Sequence, residues 1–117
     1  ICFLGVTFKA NTDDMRDSSS LSMIPSLIKK GAKINYFDPT GEKVEFIKLK
    51  NTKFSDNINS AIKNADLIII HTEWNDFKSI NFKKEVKNKN FIIFDMRNIY
   101  SPTKMKELKI KYFGVGR

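Results

Sequence analysis

A chain of 117 residues is long enough to bury one real core. Its 41% hydrophobic and 29% charged residues are ordinary for a globular protein, and no apolar run approaches the roughly 18–20 residues of a membrane span. A net charge of +8 leaves two readings open, an anion or nucleic-acid binder and a merely lysine-rich composition.

The lysines are dispersed from Lys9 to Lys111, and few aromatics interleave with the densest run, "KKEVKNKN", which favours composition. No basic stretch followed by an apolar segment and a small-residue cleavage site marks a secretory leader. The lone Cys2 has no intrachain partner, so a reducing, cytoplasmic setting is expected. The chain opens on Ile1, directly in a strand-like run, and is expected to be a piece of a longer polypeptide.

Strand-like and helix-like segments alternate. "ICFLGVTF" is apolar and β-branched. Leu21, Ile24, Leu27 and Ile28 then recur at helical spacing, predicting a helix over 18–30. Ser18 or Ser19 is placed to cap its start and Gly31 its end, while Pro25 predicts a kink or a later start. "AKINYFDP" reads as a strand closed by a turn, and "EKVEFIKLK" fits a strand or a short helix. Asp56 is the expected cap of a helix that buries Ile58, Ala61, Ile62 and Ala65. "ADLIIIHT" and "NFIIFD" read as strands buried on both faces. "NFKKEVKNK" predicts a short helix, "SPTKMKELK" a helix with a serine cap and a first-turn proline, and "KYFGVG" a last strand. The alternation implies an α/β, Rossmann-like, mostly parallel sheet with helices on both faces, a three-layer sandwich over residues 1–117.

In such sheets ligands sit outside the carboxyl ends of the strands. The segments there are "KANTDDMR", "DPTGE", "HTEWNDF" and "DMRNIY", all rich in polar groups. The first has only Gly5 where a dinucleotide fingerprint needs three glycines, so a standard NAD cradle is not expected. Asp38 is assigned to a turn with Pro39. Lys9 and Arg97 are the leading site candidates, set against surface ion pairing with Asp13 or Asp95. Asp13 and Asp14 are read as bracing their loop rather than holding a metal. His71 is read as a packed structural residue, Cys2 as an inert core thiol, and Trp74 and Phe77 as covering a sheet edge or a subunit contact.

"GVTFKANTDDMRDSSSL" resembles the C-terminal, UDP-binding domain of the UDP-glucose 6-dehydrogenases, where the segment typically reads G-L-x-F-K-x-x-T-D-D-x-R-x-S-x-S. "GAKINYFDP", "HTEWNDF", "FDMRNIYSP" and the closing "YFGVGR" are similar to later landmarks in the same order, so the resemblance spans essentially the whole chain. "DMRNIY" and "TEWNDF" favour the UDP-glucose branch over dehydrogenases of UDP-N-acetyl sugars. Asp17 stands where glutamate is common and Ser19 where proline often sits; neither is a binding position.

The resemblance implies that Phe8, Lys9, Asn11 and Thr12 line a UDP-glucose site, with Lys9 reaching sugar hydroxyls or the diphosphate and Arg97 contacting the substrate. It implies that Arg16 reaches NAD bound on an N-terminal domain of the same chain. The family oxidises the sugar C6 alcohol twice, to UDP-glucuronate, through a cysteine that forms a thiohemiacetal and then a thioester. That cysteine lies upstream of the matched region, and Cys2 does not correspond to it, so this piece is expected to bind but not to turn over. A homodimer follows from the family alone, and neither nucleic acid nor membrane is expected as a partner. The rival readings are a UDP-N-acetylmannosamine or UDP-N-acetylglucosamine dehydrogenase, a basic α/β nucleic-acid-binding module, and a structural, dimer-forming lobe.

Overall fold

The computed structural model describes residues 1–117. Six strands form one sheet: β1 (Cys2–Leu4), β2 (Ile34–Phe37), β3 (Thr52–Phe54), β4 (Leu67–Ile70), β5 (Ile92–Asp95) and β6 (Lys111–Gly114). Their spatial order is β3-β2-β1-β4-β5-β6, and every neighbouring pair is parallel. The sheet is therefore wholly parallel, with its strand order reversing between β1 and β4. The connections hold helices α1 (Ser20–Lys29), α2 (Val44–Ile47), α3 (Ile58–Ile62), α4 (Phe82–Glu85) and α5 (Pro102–Glu107), with a 3₁₀ turn at Asn75–Phe77.

The period of two along the strands divides the core between the two faces. Cys2, Leu4, Ile68, Ile70 and Ile93 pack with Ala61 and Ile62 of α3, Phe82 of α4 and Met105 of α5. Phe3, Ile34, Tyr36 and Ile69 point the other way, onto Ile24 of α1 and Phe46 of α2. This is the three-layer arrangement that the alternation implies. No helix is long and apolar enough to cross a membrane.

Helix ends follow local chemistry with two departures from expectation. Gly31 (φ +98°) ends α1 with its N–H on the Ile28 carbonyl, while the Ala32 N–H reaches Leu27, a Schellman closure. Ser101 caps α5 by accepting the Lys104 N–H, with Pro102 in the first turn. The cap of α3, however, is Asn57 and not Asp56: the Asn57 side chain accepts the Ser60 N–H at 2.8 Å. At α1 neither Ser18 nor Ser19 caps in the usual way, because their hydroxyls serve other partners. The helix runs from Ser20 through Pro25, whose exposed position spares its ring from core packing.

"EKVEFIKLK" resolves into the single turn α2, and the following "TKF" forms β3, an edge strand that its polar, short sequence concealed. Trp74 and Phe77 also depart from expectation. Phe77 is 0% exposed and Trp74 8%, and both belong to the core beneath α3–α5 rather than to an edge or subunit contact. A surface phenylalanine is cheap to truncate; this one is not. Phe77→Ala is expected to destabilise the chain by about 3–5 kcal/mol, read as a lowered urea midpoint at unchanged slope.

Candidate functional site

The reversal between β1 and β4 leaves a crevice outside their carboxyl ends, because the connections leave on opposite faces there. The segment Gly5–Ser19 crosses this crevice. It starts at Gly5 (φ +78°), whose missing side chain is required: an added Cβ would lie 2.6 Å from the Thr72 Cβ. The Gly5 N–H continues the ladder to the Phe37 carbonyl at 2.8 Å. Beyond it the backbone has no strand partner, and buried amides and carbonyls must find others.

Side chains from four neighbouring segments supply them. The Val6 N–H donates to Asp38 Oδ2 at 2.9 Å, at the end of β2. The Val6 carbonyl accepts both the Ser18 and Ser20 hydroxyls at 2.6 Å, one at the end of the loop and one in the first turn of α1. The Thr7 carbonyl accepts the Thr72 hydroxyl at 3.0 Å, after β4. The Phe8 carbonyl accepts Arg97 Nη2 at 3.3 Å, after β5. The Phe8 N–H returns to the Asp14 carbonyl, closing the loop on itself.

His71 lies beneath this loop, 0% exposed. Since the Thr72 hydroxyl donates to Thr7, it must accept from His71 Nδ1, 3.0 Å away. That assigns the proton to Nδ1 and leaves Nε2 to accept the Ser19 hydroxyl at 2.8 Å. Burial, and second the charge of Arg97, push the imidazole down to about 4, so it is neutral in this arrangement. His71 is structural, as expected, and the structure adds what it holds: the far end of the loop.

The five expected binding residues converge only in part. The Phe8 ring is 46% exposed and stands free above its clamped carbonyl. The Lys9 ammonium is exposed and makes no hydrogen bond or ion pair, although the Lys9 carbonyl accepts the Thr7 hydroxyl. Asn11 is exposed in a left-handed conformation (φ 64°), and Thr12 Oγ1 accepts the Asp14 N–H at 3.2 Å. Arg97 makes no ion pair with Asp95 or Asp13. Its Nε donates to the His71 carbonyl at 2.9 Å, which with the Phe8 contact leaves Nη1 unspent.

Arg16 sits further along the loop, its Nε and Nη2 on both oxygens of Asp14. That fork holds the Asp14 carboxyl down at about 2. Asp14 thus braces the loop, as expected. No three His, Cys, Asp or Glu side chains gather in a metal-binding cluster.

Three supports escaped the sequence reading. Asp38, 1% exposed, does form the expected turn, accepting the Thr40 N–H and hydroxyl, but it also anchors Val6. Asp95 does the same after β5: Oδ1 accepts the Arg97 N–H, and Oδ2 accepts the Tyr100 N–H and the Tyr112 hydroxyl. Burial and this carboxylate raise the Tyr112 phenol to about 12. Lys43, buried and donating to the Thr40 hydroxyl beside Asp38, is the third. The available signal was an aspartate ending each of two apolar strands.

A concavity of about 780 Å³ lies at the opposite end of the sheet, near Ile1, Lys33, Asn35 and Asn51. Asn35, Asn51, Asn64 and Asp66 are among its lining residues, and the Cys2 thiol beside it is buried and pushed up to about 12.

The family model for the "UDP-glucose/GDP-mannose dehydrogenase family, UDP binding domain" matches residues 2–102. The UDP-glucose 6-dehydrogenase of Rickettsia conorii is 37% identical over 120 residues, covering 99% of this chain and 28% of that protein. Among solved structures, an NDP-N-acetyl-D-galactosaminuronic acid dehydrogenase from Methanosarcina mazei superposes with a TM-score of 0.83 at 28% identity, over 98% of this chain and 24% of that one. A UDP-D-ManNAc dehydrogenase from Pyrococcus horikoshii gives 0.75 at 28% identity, over 99% and 25%. The chain thus spans about a quarter of the length of these relatives.

Two outcomes follow from this geometry. Gly5→Ala is expected to cost about 2–5 kcal/mol from its left-handed backbone and the Thr72 overlap. Gly31→Ala, equally left-handed but facing open space, is expected to cost about 1 kcal/mol; chemical denaturation compares them. The neutral His71 contributes stability present above its unfolded value near 6.5 and lost as pH falls through about 4. The loss is on the order of 3 kcal/mol below pH 4. Melting temperature followed from pH 7.5 to 4.5 should fall, and the part due to His71 should vanish in His71→Gln.

Proposed function

The chain belongs to the UDP-glucose/GDP-mannose dehydrogenase family, matching its UDP binding domain, and from that premise we propose that its 117 residues form the single UDP-sugar-binding domain of a longer UDP-glucose 6-dehydrogenase. That enzyme would oxidise UDP-glucose to UDP-glucuronate in two NAD-dependent steps, in the cytoplasm and as a homodimer. The observation that carries the reading is the clamped loop at the strand-order reversal, where Arg97 ties Phe8 to His71 and leaves the Phe8 ring, the Lys9 ammonium and Arg97 Nη1 facing outward.

These groups suit a nucleoside diphosphate sugar. A diphosphate is anionic and rich in acceptors; Lys9 offers a mobile charge and Arg97 a rigid donor already fixed in place. Asn11 and Thr12 add neutral polar groups for hydroxyls, and the Phe8 ring offers an apolar face. Loop rigidity matters because a donor held in place loses less freedom on binding. Unspent charge is what an anion needs, and Lys9 has no internal partner to abandon.

The fit to NAD is narrower. The first loop has one glycine and no backbone cradle, so this domain would not hold a dinucleotide by itself. Arg16 keeps one guanidinium nitrogen, Nη1, clear of Asp14 and would present it to NAD seated mainly on the N-terminal domain. NAD, once bound there, supplies the hydride acceptor.

The similarity to the Methanosarcina mazei and Pyrococcus horikoshii enzymes supports a second reading, a UDP-N-acetylhexosamine dehydrogenase. The higher identity to the Rickettsia enzyme favours UDP-glucose. Assaying the full-length protein on each sugar separates them, with at least tenfold higher kcat/KM expected for UDP-glucose. In that protein Lys9→Ala and Arg97→Ala are each expected to raise the UDP-glucose KM roughly 10- to 100-fold, the worth of a charge-assisted hydrogen bond. Unchanged KM in both would remove the site assignment. For the isolated chain, amide NMR with UDP-glucose should shift Lys9, Asn11, Thr12 and Arg97 together.

A further inference from the structure

Lys43 is 6% exposed, an unusual place for an ammonium in a chain whose other lysines lie nearer solvent. No carboxylate pairs with it directly, for the only ion pair is Arg16 with Asp14. Its Nζ donates to the Thr40 hydroxyl. That hydroxyl, having accepted from Lys43, donates to Asp38 Oδ1 at 2.6 Å, and the Thr40 N–H joins it at 2.9 Å. Asp38 Oδ2 in turn holds the Val6 N–H. The path runs ammonium, hydroxyl, carboxylate, amide, with each group in a consistent donor or acceptor role. The Lys43 backbone is held as well, its N–H donating to the buried Tyr36 hydroxyl at 2.9 Å.

A buried carboxylate needs compensation, and a buried ammonium needs the same. Each answers the other here through one hydroxyl, in a chain of hydrogen bonds that polarise in one direction. The carboxylate's other oxygen fixes the amide two residues before Phe8 and three before Lys9. We propose that Lys43 is a positioning residue for the nucleotide-sugar loop: through Thr40 it orients and balances Asp38, and Asp38 sets the path of Val6 into Phe8 and Lys9. The inference rests on the UDP-sugar reading of that loop and adds a residue that touches no ligand.

The test uses the full-length protein with UDP-glucose varied at saturating NAD. Lys43→Met removes the charge and keeps the stem; Thr40→Val removes the hydroxyl and keeps the shape. Each is expected to raise KM about tenfold with kcat within about twofold, the size of one charge-assisted hydrogen bond. Because both break the same path, the double variant should also stand near tenfold and not near a hundredfold. Lys43→Arg, which restores a cation with donors, should recover most of the loss.

Lys9→Ala and Arg97→Ala are run alongside. If either raises KM while Lys43→Met and Thr40→Val leave it unchanged, the positioning role is overturned and the site reading stands. A hundredfold double variant likewise overturns the shared path. If Lys9→Ala and Arg97→Ala both leave KM unchanged, the site reading fails and takes the inference with it. Should Lys43→Met not fold, Thr40→Val interrogates the same path without touching the lysine, and its KM decides.

Discussion

Four backbone groups in three consecutive residues organise this molecule. The Val6 N–H and the carbonyls of Val6, Thr7 and Phe8 leave the sheet just where the strand order reverses, with no strand beside them to pair. The groups of Val6 and Thr7 are buried, where an unpaired peptide group costs about 1–3 kcal/mol, so each must be met, and the more exposed Phe8 carbonyl is paired as well. Asp38, Ser18 with Ser20, Thr72 and Arg97 meet them, and each comes from a different segment. The loop is thereby tied at once to the ends of β2, β4 and β5 and to the start of α1.

The same constraint explains why one glycine suffices. A glycine-rich loop offers its own amides to a phosphate and needs glycines to bring the backbone close. Here the loop's inner carbonyls are committed to side-chain donors, which turns Phe8, Lys9 and Asn11 outward. The single glycine is spent on geometry, passing the chain over Thr72. In the proposed reading recognition is left to side chains, and rigidity comes from the hydrogen bonds below them.

Arg97 shows how support and site share atoms. Its Nε and Nη2 close the crevice by holding His71 and Phe8, while Asp95 holds its backbone from beneath. Asp95 is itself fixed by Tyr100 and Tyr112, so β6 at the sheet edge contributes to a residue two strands from the reversal. Asn98 extends the brace, exchanging hydrogen bonds with the Val115 backbone. On the other flank Lys43, Thr40 and Asp38 make a matching path to Val6. Two buried aspartates, one at the end of β2 and one at the end of β5, thus hold the two sides of the loop.

By itself the sequence determined the alternation of strands and helices, the buried strands "LIII" and "IIFD", the glycine stop after α1 and the serine–proline start of α5. These are local matters of side-chain period and backbone freedom. It also exposed Lys9 and Arg97 as charges placed just after strands. It concealed β3, whose short polar stretch becomes a strand only by pairing with β2, and it put Trp74 and Phe77 on the surface because their polar neighbours hide the packing that covers them. The pairings of Asp38 with Val6, His71 with Ser19, and Lys43 with Asp38 through Thr40 were decided by tertiary structure alone. The first two join residues far apart in the chain, which only closure of the sheet brings within hydrogen-bonding distance, and the third closes within a turn whose direction the sequence does not state.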